Sequence, residues 1–85
     1  MTFQGAVIQE QGITFAVVIV KKYVIDSSAE ANQTIAAFQP VFPGLPVVLM
    51  AQDYQGTPTY YGRQDIARFL ASVPLEAIPW KQYTV

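Results

Sequence analysis

The stretch ITFAVVIVKKYVI, Ile13 to Ile25, constrains the fold more than any other part of the chain. It is β-branched or aromatic almost throughout. Such side chains lose rotamer freedom in a helix but pack well on a pleated surface. In an extended strand Ile13, Phe15, Val17 and Ile19 share one face, and Thr14, Ala16, Val18 and Val20 share the other. Both faces are mainly apolar, which predicts a central strand covered on two sides. The apolar run is interrupted by Lys21 and Lys22, far short of the roughly 20 residues that a membrane-crossing helix requires.

The flanking segments supply partners for this strand. Phe3–Gln9 is rich in β-formers, and Gly12 provides a positive φ angle for a tight connection into Ile13. After Ile25 the period changes. Ala31, Ile35 and Phe38 recur at helical spacing, and Ser27 with Glu30 has the S-x-x-E form of a capping box. Pro40 stops this helix, and QPVFPGLP forms a stiff connection. Val47–Ala51 is a third strand, apolar on both faces. QDYQGTP is a hairpin connection with Gly56 in the left-handed position.

Thr59–Gly62, TYYG, is the fourth strand; Pro58 lacks a backbone donor and so places it at a sheet edge. Ile66, Phe69, Leu70 and Val73 then mark a second amphipathic helix, ended by Pro74. The tail from Ile78 to Val85 alternates and is aromatic, consistent with a fifth strand or with a segment lying against a neighbour. A helical crossover between the second and third strands would make those two parallel, with a hairpin on either side.

The segment PVVLMAQDYQGTPTYYGRQDIARFL resembles the C-terminal half of the thioredoxin-like fold: a proline opening a strand, a hairpin, a glycine after the second strand, then an amphipathic helix. The resemblance implies an arrangement for those elements. Redox activity does not come with it, because the chain has no C-x-x-C.

Composition excludes several chemistries. With no cysteine and no histidine, thiol redox chemistry, thiolate metal sites, the commonest general base and the commonest metal ligand are all missing. The five basic and six acidic residues give a net charge of -1, so a phosphate backbone finds little to neutralise and nucleic acid is not an expected partner. Neither FPGLP nor YQGTP has phosphate-loop spacing. No cofactor, metal site or catalytic residue is therefore assigned. The N-terminal MTFQGAVIQEQG lacks the basic start and apolar core of a secretory signal, which leaves the cytoplasm as the expected location.

Six residues stand out as candidates for binding a ligand or partner: Tyr54, Tyr60, Tyr61, Arg63, Trp80 and Tyr83. Tyrosine, tryptophan and arginine dominate binding hot spots. Adjacent Tyr60 and Tyr61 nevertheless point to opposite sides of a strand, and aromatic packing explains them equally well. Asp53 and Asp65 sit where a turn and a helix's first turn favour aspartate for local reasons.

The expected architecture is a single α+β domain spanning residues 1–85: a two-layer ββαββα sandwich with a mixed four- or five-stranded sheet and two helices. Two helices on one face leave the other uncovered, with Thr14, Ala16, Val18, Val48 and Met50 expected to line it. Only 13% of the residues are charged, against a usual share of about 25%. These features suggest a non-catalytic protein-interaction module, pairing with itself as a homodimer, or with another protein, through an apolar sheet face or edge. The alternative is a small-ligand binding protein or weak enzyme with a pocket near Tyr54, Tyr60, Tyr61 and Arg63.

Overall fold

The computed structural model describes residues Met1–Val85. Strands β1 (Thr2–Glu10) and β2 (Ile13–Ile19) form a hairpin closed by the pair Glu10 and Ile13. Its two turn residues, Gln11 and Gly12, have φ of 50° and 81°. Positive φ at both positions is the geometry whose twist matches the flanking strands.

The second strand ends earlier than its composition suggests. Val20 donates to the Met50 carbonyl at 2.8 Å, after which Lys22–Asp26 forms a short helix, α1. The expected extension of the strand to Ile25 is thus corrected. Helical geometry turns Val24 and Ile25 back onto the core, and Lys22 pairs with Asp26 one turn on. Helix α2 (Ser28–Phe38) follows, with the Ser27 hydroxyl accepting from the Glu30 amide at 3.3 Å as the capping pattern predicts.

After α2, the Gln39 side chain donates to the carbonyls of Phe42 and Leu45 and holds the proline-rich connection. Strand β3 (Val47–Gln52), strand β4 (Pro58–Tyr61), helix α3 (Gln64–Ala71), a 3₁₀ turn at Leu75–Ala77 and strand β5 (Lys81–Thr84) complete the chain. Pro46–Leu70 thus forms the β3–β4 hairpin, the Gly62 exit and the body of α3. All peptide bonds are trans.

The sheet is mixed and five-stranded, in the order β4-β3-β2-β1-β5. Only β2 and β3 are parallel, and a hairpin flanks them on each side. The tail strand β5 pairs antiparallel with β1. The expected α+β class, mixed sheet and edge position of β4 are all present.

The layering differs from the expected two-layer stack. Phe15, Val17, Val48 and Met50 face α3 and the 3₁₀ turn, packing with Ile66, Leu70 and Ile78. Ala16, Val18, Val47 and Leu49 face α1 and α2, packing with Val24, Ala31, Phe38 and Phe42. The long helices therefore lie on opposite faces of the sheet. Val48 and Met50 share a side with Phe15 and Val17, not with Ala16 and Val18, because parallel pairing sets Ala16 beside Val47.

Ala16, Val17, Val18, Val48, Leu49, Met50 and Ala51 are each 0–1% exposed. Both faces of the central strands are sealed within one molecule, so no bare sheet face awaits a companion. Each large side chain buried there contributes about 1.5–3 kcal/mol, and the two cores share the same two strands as their common wall.

Candidate functional site

The sequence-nominated residues are dispersed. Tyr54 sits at the tip of the β3–β4 hairpin and is 96% exposed. That turn is fixed from below, where the Asp53 carboxylate accepts from the Gln55 and Thr57 amides, both at 2.9 Å. Tyr60 turns toward α3 and packs against that core. Its hydroxyl is buried without a hydrogen-bond partner, and desolvation pushes the phenol above its ordinary value of 10.0.

Tyr61 turns to the other side, where its hydroxyl donates to Asn32 Oδ1 of α2 at 3.1 Å. The Arg63 guanidinium forms an ion pair with Asp65, Nε to Oδ1 at 2.9 Å, with both side chains half exposed. Trp80 and Tyr83 are likewise split between faces. Trp80 packs on the α3 side and donates from Nε1 to the Leu75 carbonyl at 3.1 Å. Tyr83 lies on the α2 side among Phe3, Phe38 and Phe42.

No cleft lies among Tyr54, Tyr60, Tyr61 and Arg63. The one cleft, of about 140 Å³, lies where the β1–β2 turn meets the start of α3. Ile13, Phe15, Ile66 and Phe69 form its apolar walls and Glu10, Gln11 and Asp65 its polar lining. Asp65 is the carboxylate already paired with Arg63. No group of three acidic, histidine or cysteine side chains is placed to hold a metal ion. No helix is long and apolar enough to cross a membrane.

The chain matches no known family, no curated protein and no solved structure.

Besides the Tyr60 hydroxyl, backbone at the two sheet edges is without a partner inside the molecule, and the two edges are not equivalent. Met1 and Val85 exchange hydrogen bonds, Val85 N to Met1 O at 2.9 Å and the N-terminal amine to Val85 O at 2.8 Å. In an antiparallel ladder hydrogen-bonded and non-hydrogen-bonded pairs alternate. From the β1–β5 register, Phe3 with Tyr83 and Gly5 with Lys81 are then hydrogen-bonded pairs. Gln82 and Thr84 are not, and they aim their N–H and C=O groups away from β1, at the open edge.

On the opposite edge the same parity applies. Asp53 N donates to Thr57 O at 3.0 Å, so the outward positions of β4 are Pro58 and Tyr60. Proline has no N–H to give, and β4 is blunted in the way natural edge strands often are. Sequence reasoning named Tyr83 and missed Gln82 and Thr84. Nothing in their side chains marks them, because their role depends on which strand β5 pairs with and in what register.

Proposed function

We propose that this chain is a small non-catalytic interaction module that associates along its free β5 edge, as a homodimer or with a strand of another protein. The observation that carries the reading is the pair of outward backbone donor–acceptor sets at Gln82 and Thr84, beside a second edge that Pro58 blunts. Strand addition to an exposed edge is a common recognition mode in which main-chain hydrogen bonds supply affinity. The low content of charge, 13% of residues, fits a surface that tolerates contact with its own kind.

A cytoplasmic setting goes with this reading, since the chain has no cysteine with which to build the disulfide framework common in small secreted domains. The reading without catalysis follows from chemistry. Proton transfer at neutral pH relies most on histidine, of which the chain has none, and Asp53 and Asp65 are engaged in a turn and an ion pair. A ligand pocket built from Tyr54, Tyr60, Tyr61 and Arg63 has no support in their placement.

Sedimentation across a dilution series up to several hundred micromolar tests the proposal. The expected mass rises above the 9.4 kDa of one chain as concentration increases. Gln82→Pro, which deletes an outward donor and leaves the β1 ladder intact, lowers that rise. A mass that stays at one chain throughout, together with backbone amides of β5 unresponsive to concentration, sinks the homodimer and leaves the edge only a strand of another protein.

A further inference from the structure

Resting on the edge-association reading, we infer that the partner is a second copy of this chain, and that the two β5 strands pair antiparallel about a two-fold axis passing between Tyr83 and its symmetry mate. Only Gln82 and Thr84 on β5 present both N–H and C=O outward. In an antiparallel pair centred on Tyr83, Gln82 lies opposite Thr84 of the second copy, and Thr84 opposite its Gln82. Every outward group of the strand then has a partner, in four hydrogen bonds.

Moving the centre to Gln82 loses this match. Thr84 would then face Trp80, whose N–H is already donated to the Ile78 carbonyl at 2.8 Å. The strand is thus self-complementary in one register and deficient in the neighbouring one. A two-fold contact of this kind uses the same patch on both molecules.

The side chains point to the same centre. Phe3 and Tyr83 are opposite each other across β1 and β5 and stack with ring centroids 5.1 Å apart. Directly opposed residues on adjacent strands are the pairs that stabilise a sheet. Centring on Tyr83 continues the row as Phe3, Tyr83, Tyr83 and Phe3 across two molecules, along one sheet face.

The assembly also closes. Joining the β5 edges yields a continuous ten-stranded sheet whose two outer strands are both β4, and Pro58 blunts each of these. Growth stops at two copies.

Because the chain contains no cysteine, single cysteines report proximity without interference. A non-hydrogen-bonded antiparallel pair brings Cα atoms to about 4.5 Å, inside the range a disulfide spans. Gln82 to its own mate, or Thr84 to its own, is diagonal and longer than about 7 Å. Under mild diamide oxidation, Tyr83→Cys is expected to form covalent dimer at least tenfold faster than Gln82→Cys or Thr84→Cys alone. An equimolar mixture of Gln82→Cys and Thr84→Cys is expected to cross-link as the heterodimer, with Tyr83 and its packing intact. That mixture keeps the test independent of any damage from removing Tyr83.

Adding Gln82→Pro to Tyr83→Cys is expected to lower the cross-linking rate at least tenfold. If sedimentation shows a dimer while Gln82→Cys cross-links to itself, or while cysteines on β4 cross-link instead, this register is overturned and edge association stands. If the mass stays at one chain and none of these variants cross-links, the second copy is overturned as the partner, and edge pairing is left only with a strand of another protein.

Discussion

The ring of Tyr83 lies within 6° of parallel to that of Phe3, at 5.1 Å between centroids, on strands that place the two residues directly opposite each other. Phe42 meets Tyr83 edge-on at 5.3 Å, and Phe38 meets Phe3 edge-on at 4.7 Å. Lys81 adds its ammonium 5.0 Å from the Tyr83 centroid. These contacts bind β5 to the α2-side core through a strand that has only four residues.

Tyr83→Ala is therefore expected to destabilise the fold by about 2–3 kcal/mol, from lost apolar burial and aromatic pairing. Tyr83→Phe keeps both and should cost less than about 0.5 kcal/mol. Urea unfolding of the three proteins measures the difference. Amide exchange locates it, with protection lost first in β5 and the start of β1. An alanine variant as stable as the parent would show that the aromatic row carries no weight.

Gly5 lies beneath that row for a steric reason. A Cβ built there would stand 2.8 Å from the Val17 carbonyl oxygen, with the Phe3 and Tyr83 rings at 3.5 and 3.6 Å. The oxygen belongs to the backbone of the central strand and cannot swing aside. Gly5→Ala should cost about 2 kcal/mol by overpacking, despite the general preference of strands for any residue over glycine. A thermal melt compares it with Val7→Ala on the same strand. The half-exposed Val7 is 42% accessible, and its truncation should cost under about 1 kcal/mol.

Much of this architecture is visible in the residues, and the limits are instructive. Ile13–Ile19 reads as a two-sided strand because every position but Thr14 is apolar, and tertiary structure had only to supply covers. Tyr23, Val24 and Ile25 continue the same composition, yet they form α1. Three apolar residues carry no period of their own, and the crossover to β3 has to leave the plane of the sheet. Helix periodicity likewise shows that Ile66 and Leu70 face a core but not which one. The exit of the chain from β4 through Tyr61 and Gly62 decides that α3 covers the side opposite α2. Expecting both helices on one face is what made the other face look bare.

The candidate site was less legible, because it consists of backbone. Tyr60 and Tyr61 drew attention through chemistry that the molecule spends on two separate cores. Gln82 and Thr84 have unremarkable side chains, and the direction of their amides follows from the pairing of Phe3 with Tyr83. A register between residues eighty positions apart is not written in either segment alone.

Tyr60 offers a test of a different kind, because its hydroxyl is buried with nothing to bond. An unpaired buried polar group costs about 1–3 kcal/mol. Removing the oxygen should therefore stabilise the protein, and Tyr60→Phe is expected to gain up to about 1 kcal/mol at pH 7. The same burial holds the phenol above its ordinary value of 10.0. The folded state thus keeps the proton over a range where the unfolded state has released it, and stability falls with rising pH from about pH 10 through the folded-state value. Below that window the parent and Tyr60→Phe should differ by a constant amount. Through it the gap should widen in favour of Tyr60→Phe, which has no phenol at that position to ionise. Urea denaturation at pH 7, 9, 10 and 11 measures both effects. A gap that narrows above pH 10 would mean that the hydroxyl reaches water or a partner in solution.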